Sequence, residues 1–148
     1  MRNVKSFEEF EQEGVARKVT PDPQRAKNLI FQAQRKLSTL NINIEKVGIT
    51  PENATDYVEH CYDVIMFLLR AKLFLEGYNC SGQGAHEAEV AYTKHLSLGE
   101  KEILFLDQLR SYRNGILYYG KQLDIEYAQK VIVFTKKIYP QLKDKILL

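Results

Sequence analysis

Tryptophan is absent from the 148 residues, and cysteine, methionine and proline number only two, two and four. The two cysteines, Cys61 and Cys80, form no CxxC pair, which argues against a disulfide framework and against a thiolate metal cluster. Long apolar runs are missing as well. The longest, residues 64–69, stops at Arg70 and falls short of the roughly 18 residues of a membrane span. The opening stretch, MRNVKSFEEFEQEG, is charged where a signal peptide would need an apolar centre, so the expected address is the cytoplasm. Neither charge sign dominates: 21 Lys and Arg face 19 Asp and Glu, a net charge of +2. The resulting pI near 8.4 permits contact with nucleic acid without requiring it. Alternating strand patterns, internal repeats and low-complexity segments are also lacking, so little or no sheet is expected.

What is present suits a helical core. Hydrophobic residues make up 45% and charged residues 27% of the chain, enough to fill one domain and keep it in solution. A chain of this length buries roughly two-thirds of its unfolded surface and needs no staple. The expected organisation is therefore one all-α domain over residues 1–148, an up-and-down bundle of five or six helices.

The helices can be placed in turn. Phe7 and Phe10 mark a short amphipathic helix within residues 1–14, ended by Gly14. Pro21 and Pro23 punctuate the chain before a helix over about residues 23–40, with Leu29, Ile30, Ala33, Leu37 and Leu40 at helical spacing. Residues 41–48 read as a loop. Thr50 and Pro51 then suit a helix start, and the helix continues through Ala54, Tyr57, Val58, Cys61, Ile65, Leu68 and Leu75 to Gly77. Val64, Phe67 and Leu69 widen its apolar face, so it should be central. NCSGQG, residues 79–84, reads as a flexible loop. A shorter helix over 86–95 follows. Ser97 and Glu100 fit a capping box for a helix that reaches Tyr119 and stops at Gly120. The last helix starts near Asp124, and Pro140 should kink or break it.

The informative helix is LRSYRNGILYYG, residues 109–120. At about 100° per residue, Phe105, Leu109, Tyr112, Ile116 and Tyr119 share one face, expected to be core. Asp107, Arg110, Asn114, Tyr118 and Lys121 share another. Asn114 and Tyr118 lie one turn apart and can converge on one small site. Arg113 lies about 140° from Tyr118 around the axis. A pocket using both therefore needs a second surface, such as the same helix of a symmetry-related copy.

At these residues the chain resembles the HEPN family (higher eukaryotes and prokaryotes nucleotide-binding domains), whose motif is an Arg, four to six residues, then a His, often with a polar residue just after the Arg. Arg113, Asn114 and the step to position 118 match that spacing. The order of elements is similar too: a long central helix, a Gly-rich loop, a helix start at Ala85-His86-Glu87, then the motif helix. The resemblance covers roughly residues 23–140. It implies an all-α bundle and a nucleotide- or RNA-binding site at a homodimer interface. In many members that site is a metal-independent ribonuclease, and others pair with a minimal nucleotidyltransferase as a toxin–antitoxin system. Here Tyr118 stands where the family has its His. Histidine exchanges a proton near neutral pH, whereas tyrosine, with a reference pKa near 10, is a poor general base. The resemblance thus implies a degenerate nuclease: Arg113 and Arg110 to hold phosphate, Asn114 to orient a hydroxyl, Tyr118 as the only replacement for the base.

Plainer roles stand beside these. Arg113 can pair with a carboxylate across a helix interface, Arg110 can pair with Asp107, and Tyr118 can pack with its hydroxyl in water. The histidines His60, His86 and His95 form no HExxH spacing, and His86 with Glu87 and Glu89 splays around a helix, so no metal is expected. The 77–84 loop lacks the GK[ST] ending of a phosphate loop, and no cofactor is expected. Lys136, Lys137, Lys143 and Lys145 make the C-terminal segment basic, as a solvated face often is. In order of weight, the expected functions are a homodimeric RNA- or nucleotide-binding domain, a partner protein that docks a nucleotidyltransferase, and a variant ribonuclease using Tyr118.

Overall fold

The computed structural model describes residues 5–147. Six α-helices and one two-stranded ribbon run in the order α1 (Phe7–Gln12), β1 (Ala16–Lys18), α2 (Pro23–Val47), α3 (Ala54–Glu76), β2 (Tyr78–Cys80), α4 (Ala85–Ala91), a 3-10 turn (Tyr92–Leu96), α5 (Glu100–Tyr119) and α6 (Ile125–Leu147). The protein is an all-α helical bundle. Among the described residues no helix is long and apolar enough to cross a membrane.

Helix α3 is the axis of the bundle. It buries Val58, Cys61, Val64, Ile65, Met66, Leu68 and Leu69 completely, so apolar residues reach most of its circumference. Against it pack α2, α5 and α6. Its start lies beyond Thr50. The Thr50 backbone N–H donates to Asn53 Oδ1 at 2.8 Å, and the Asn53 N–H donates to Thr50 Oγ1 at 3.2 Å. This reciprocal pair closes a turn first, and the helix begins at Ala54. At the other end Gly77 adopts φ +81°, and a Cβ there would meet the Val19 carbonyl oxygen at 2.8 Å. Only glycine satisfies both conditions.

Four expectations are corrected by the structure. Helix α2 continues through residues 41–47, which the sequence reading made a loop. Leu40 is buried and Ile44 packs on the core one turn later. That packing outweighs the weak helix propensity of Asn41 and Asn43, and Gly48, at φ +79°, supplies the stop. Pro140 neither breaks nor divides α6. Ile138, Leu142 and Ile146 are buried on both sides of it, so the packed face holds the helix through the missing hydrogen bond. The capping box at Ser97 does not form: Ser97 sits at φ +60°, and α5 starts from Gly99 without a side-chain cap. Finally, the core face of α5 does not run to its end. Leu106 and Leu109 are fully buried, but Tyr119 is 87% exposed, because the final turn projects into solvent.

The small ribbon pairs Ala16 with Cys80 and Lys18 with Tyr78, antiparallel. It takes up residues 79–80 of the segment read as loop and ties α1 to the end of α3. Ser6 caps α1 by accepting from the Glu9 N–H at 3.2 Å. Residues 1–4 of the helix expected over 1–14 lie outside the described residues.

Two substitutions test this frame by urea unfolding. Leu68→Ala, deep in α3, is expected to cost about 3 kcal/mol through lost burial and a residual cavity. Gly77→Ala is expected to cost more than about 1 kcal/mol through strain at positive φ and the clash with Val19.

Candidate binding cleft

The sequence places Arg110, Asn114 and Tyr118 on one stripe of α5, at steps of four residues. The structure turns that stripe toward the segment 82–87, and the two together line an open cleft of about 710 Å³. Leu117 completes the α5 side, and His86 and Glu87 supply the facing side chains. Arg110 is buried at the cleft wall. Its Nε donates to Asp107 Oδ1 at 3.0 Å, and its Nη2 lies 3.7 Å from Glu87 Oε1. The arginine thus links α5 to α4 while facing the opening. Tyr118 is 75% exposed.

Arg113 is not part of this cleft. It points toward α3, with Nε 3.7 Å from Glu59 Oε2 and Nη2 3.7 Å from Asp63 Oδ1. Its guanidinium carbon lies 5.7 Å from the centre of the Tyr62 ring. Both ion-pair distances exceed a hydrogen bond, and Arg113 Nε is buried without a hydrogen-bond partner among the described residues. The angular separation of Arg113 and Tyr118 on one helix therefore persists in the fold: Arg110, Asn114 and Tyr118 come together, and Arg113 stands behind them.

The side chain that sequence reasoning weighed only as a metal ligand is His86. It stands across the cleft from Asn114 and Tyr118. Its Nδ1 is 3.4 Å from the Tyr62 hydroxyl and its Nε2 is 3.5 Å from Arg70 Nη2. A guanidinium only donates, so Nε2 carries the lone pair, and the Nδ1–H donates to the Tyr62 oxygen. Burial, and after it the positive charges of Arg70, Arg113 and Arg110, hold the imidazole pKa below its ordinary value against the opposing pull of Asp63. Tyr62 is pushed up, by burial first and then by the negative charge of Glu89. Arg70 is gripped by Glu89 through Nε to Oε2 at 2.7 Å and Nη2 to Oε1 at 3.3 Å. Glu89 is itself buried, and that burial raises its carboxyl pKa despite the bond from Arg70. A sequence signal for this network did exist. Arg70 interrupts the apolar run of a central helix, and a charge in such a place needs a partner.

On the other side of His86 lies a smaller cavity of about 380 Å³, bordered by Arg25, Arg70, Phe74, Asn79, Cys80 and Glu89. Burial pushes the Cys80 thiol up to about 12, which leaves it unreactive near neutral pH. Among the described residues no group of three His, Cys, Asp or Glu side chains is arranged to hold a metal ion. No known protein family, curated protein or solved structure matches the chain.

The Arg70–Glu89 pair has a pH signature. Raised in the fold relative to the unfolded chain, the Glu89 carboxyl makes the native state bind more protons, so its contribution falls as pH rises through the carboxylate range. Arg70→Gln removes the one group that opposes this. The variant is expected to lose about 2 kcal/mol at neutral pH, with the deficit shrinking toward about pH 4 as Glu89 becomes neutral. Urea midpoints measured across that range check it. Tyr118→Ala, at an exposed position, is expected to shift stability by less than about 0.5 kcal/mol in the same assay.

Proposed function

We propose that this protein is a HEPN-like domain that binds RNA or nucleotides as a homodimer, with little or no ribonuclease activity. The observation that carries the reading is the convergence of Arg110, Asn114, Tyr118 and His86 on one open cleft. Its volume of about 710 Å³ lies within the usual span of small-ligand sites, which suits a nucleotide or a short stretch of single strand. Each side chain has a fitting role. Arg110 offers a guanidinium to phosphate, exchanging its long contact with Glu87. Asn114 can donate to and accept from a ribose hydroxyl or a base edge. Tyr118 offers a face on which a base can stack.

Arg113 takes a positioning role. By joining α5 to Glu59 and Asp63 of α3 it fixes the rotation of α5, and so the direction in which Asn114 and Tyr118 face. Position 118 carries tyrosine where the motif has its histidine, which is the reason for assigning binding in place of efficient cleavage. The exposed turn Leu117, Tyr118 and Tyr119 lies at the mouth of the cleft and supplies the apolar surface on which a second copy would seat.

Fluorescence anisotropy with a labelled single-stranded oligouridylate tests the reading. Tyr118→Ala and Asn114→Ala are each expected to weaken binding about tenfold, in line with the loss of one stacked base or one good polar contact. Unchanged affinity in both variants overturns it. A second reading, docking of a nucleotidyltransferase through the same apolar turn, is favoured by the exposure of Leu117 and Tyr119. It is supported if a purified nucleotidyltransferase binds the wild type and fails to bind Leu117→Asp while RNA is not bound at all.

A further inference from the structure

We propose that His86 and Arg110 form the phosphate-holding end of the cleft, and that an RNA phosphate draws a proton from solvent onto His86 as it binds. This deepens the RNA-binding reading above and rests on it.

Three side chains able to carry charge line the cleft among the described residues: His86, Glu87 and Arg110. With a neutral imidazole, the Arg110 guanidinium is already held by Asp107 and opposed by Glu87, and an anion entering the cleft meets no net attraction. A protonated imidazole adds a positive charge to the lining. Attraction for phosphate therefore depends on the state of His86.

The groups facing His86 set that state. From α3 come Tyr62 at Nδ1, Arg70 at Nε2 and the more distant Asp63; from α5 come Arg110, Arg113 and, across the cleft, Tyr118; from its own helix come Glu87 and Glu89; and from β2 Cys80 shares the smaller cavity behind it. The three guanidiniums act against a charged imidazole, and so does burial, while Asp63 favours it. In the empty cleft His86 is accordingly neutral at neutral pH. A phosphate placed between His86 and Arg110 adds a negative charge beside the ring and reverses the balance.

The hydrogen bonds permit the change. A neutral ring accepts from Arg70 at Nε2. Once protonated, both ring nitrogens donate, and the contact with Arg70 becomes one of donor against donor and of like charges. His86 is an exposed residue that lines the cleft, and a turn of its ring brings Nε2–H toward the phosphate. Arg70 keeps both of its bonds to Glu89 and has no reason to follow. The Glu89 grip on Arg70 thus leaves the imidazole as the mobile partner.

Linkage gives the sign. The free-state value of His86 is lowered and the bound-state value is raised, so affinity increases as pH falls between them and levels off below the free value. One linked proton allows at most about a tenfold gain per pH unit. Isothermal titration calorimetry of the full chain with an oligouridylate lacking a terminal phosphate isolates the protein's contribution, because neither its bases nor its diesters titrate between about pH 5.5 and about pH 8. Titrations in two buffers of different ionisation enthalpy should show proton uptake approaching one per site, with affinity rising on acidification. His86→Gln should take up no proton and flatten the pH profile to within about twofold. His86→Lys should also be flat, and several-fold tighter than wild type at the alkaline end. Circular dichroism melts confirm that both variants are folded. Proton uptake that persists in the variants, or wild-type binding without uptake, overturns the role of His86 and leaves the binding reading standing. Absence of wild-type binding at every pH overturns both.

Discussion

A polar stripe on a largely buried helix joins α4 and α5 to the rest of the bundle. Glu59, Tyr62, Asp63 and Arg70 recur along α3 at intervals that keep them near one side, while the rest of its circumference is sealed by α2 and α6. Charges so close to a core are tolerated only with partners. The partners come from the next two helices: Arg113 of α5 for Glu59 and Asp63, Glu89 of α4 for Arg70, and His86 for Tyr62. Asp63 also lies 3.4 Å from Lys36 of α2, so one carboxylate reaches toward helices on both sides of the axis. Pairing of this stripe, together with the burial of Ala88, Val90, Leu106 and Leu109, sets how α4 and α5 sit against the bundle.

The cleft follows from that attachment. With Arg113 facing α3, the stripe about 100° away, bearing Arg110, Asn114 and Tyr118, must face the 82–87 segment. The two helices are then bridged directly through Arg110 and Glu87. The segment before α4 that borders the opening runs Gly82, Gln83, Gly84, two of the three without a side chain. The single guanidinium at the cleft stands between two carboxylates, Asp107 and Glu87. That lining distinguishes it from the strongly basic surfaces with which many proteins hold nucleic acid.

The partition of roles between two neighbouring arginines is a consequence of helix geometry. Arg110 and Arg113 are three residues apart, yet Arg110 bonds within its own helix and faces the cleft, whereas Arg113 spans to α3. The motif spacing in the sequence draws attention to Arg113, and the folded arrangement gives it structural partners inside its own chain. Its influence on the proposed site runs through the orientation of α5.

Sequence periodicity alone determined that the chain is helical, that α3 is central, that α5 ends at Gly120, and that Arg110, Asn114 and Tyr118 share a face apart from Arg113, because these are consequences of a fixed 3.6-residue repeat and of the conformational freedom of glycine. It misjudged residues 41–47, a break at Pro140 and the Ser97 cap, since there local preference competes with burial contributed by residues far along the chain, Ile44 and Ile138 among them. His86 was visible as a residue and invisible as a site. Its partners, Tyr62 and Arg70, lie 24 and 16 positions earlier, and no spacing rule operates over such distances between separate helices. Only the packing of α4 and α5 onto the polar stripe of α3 brings the imidazole to the edge of a cleft, because proximity between elements is set by which buried charges must find each other.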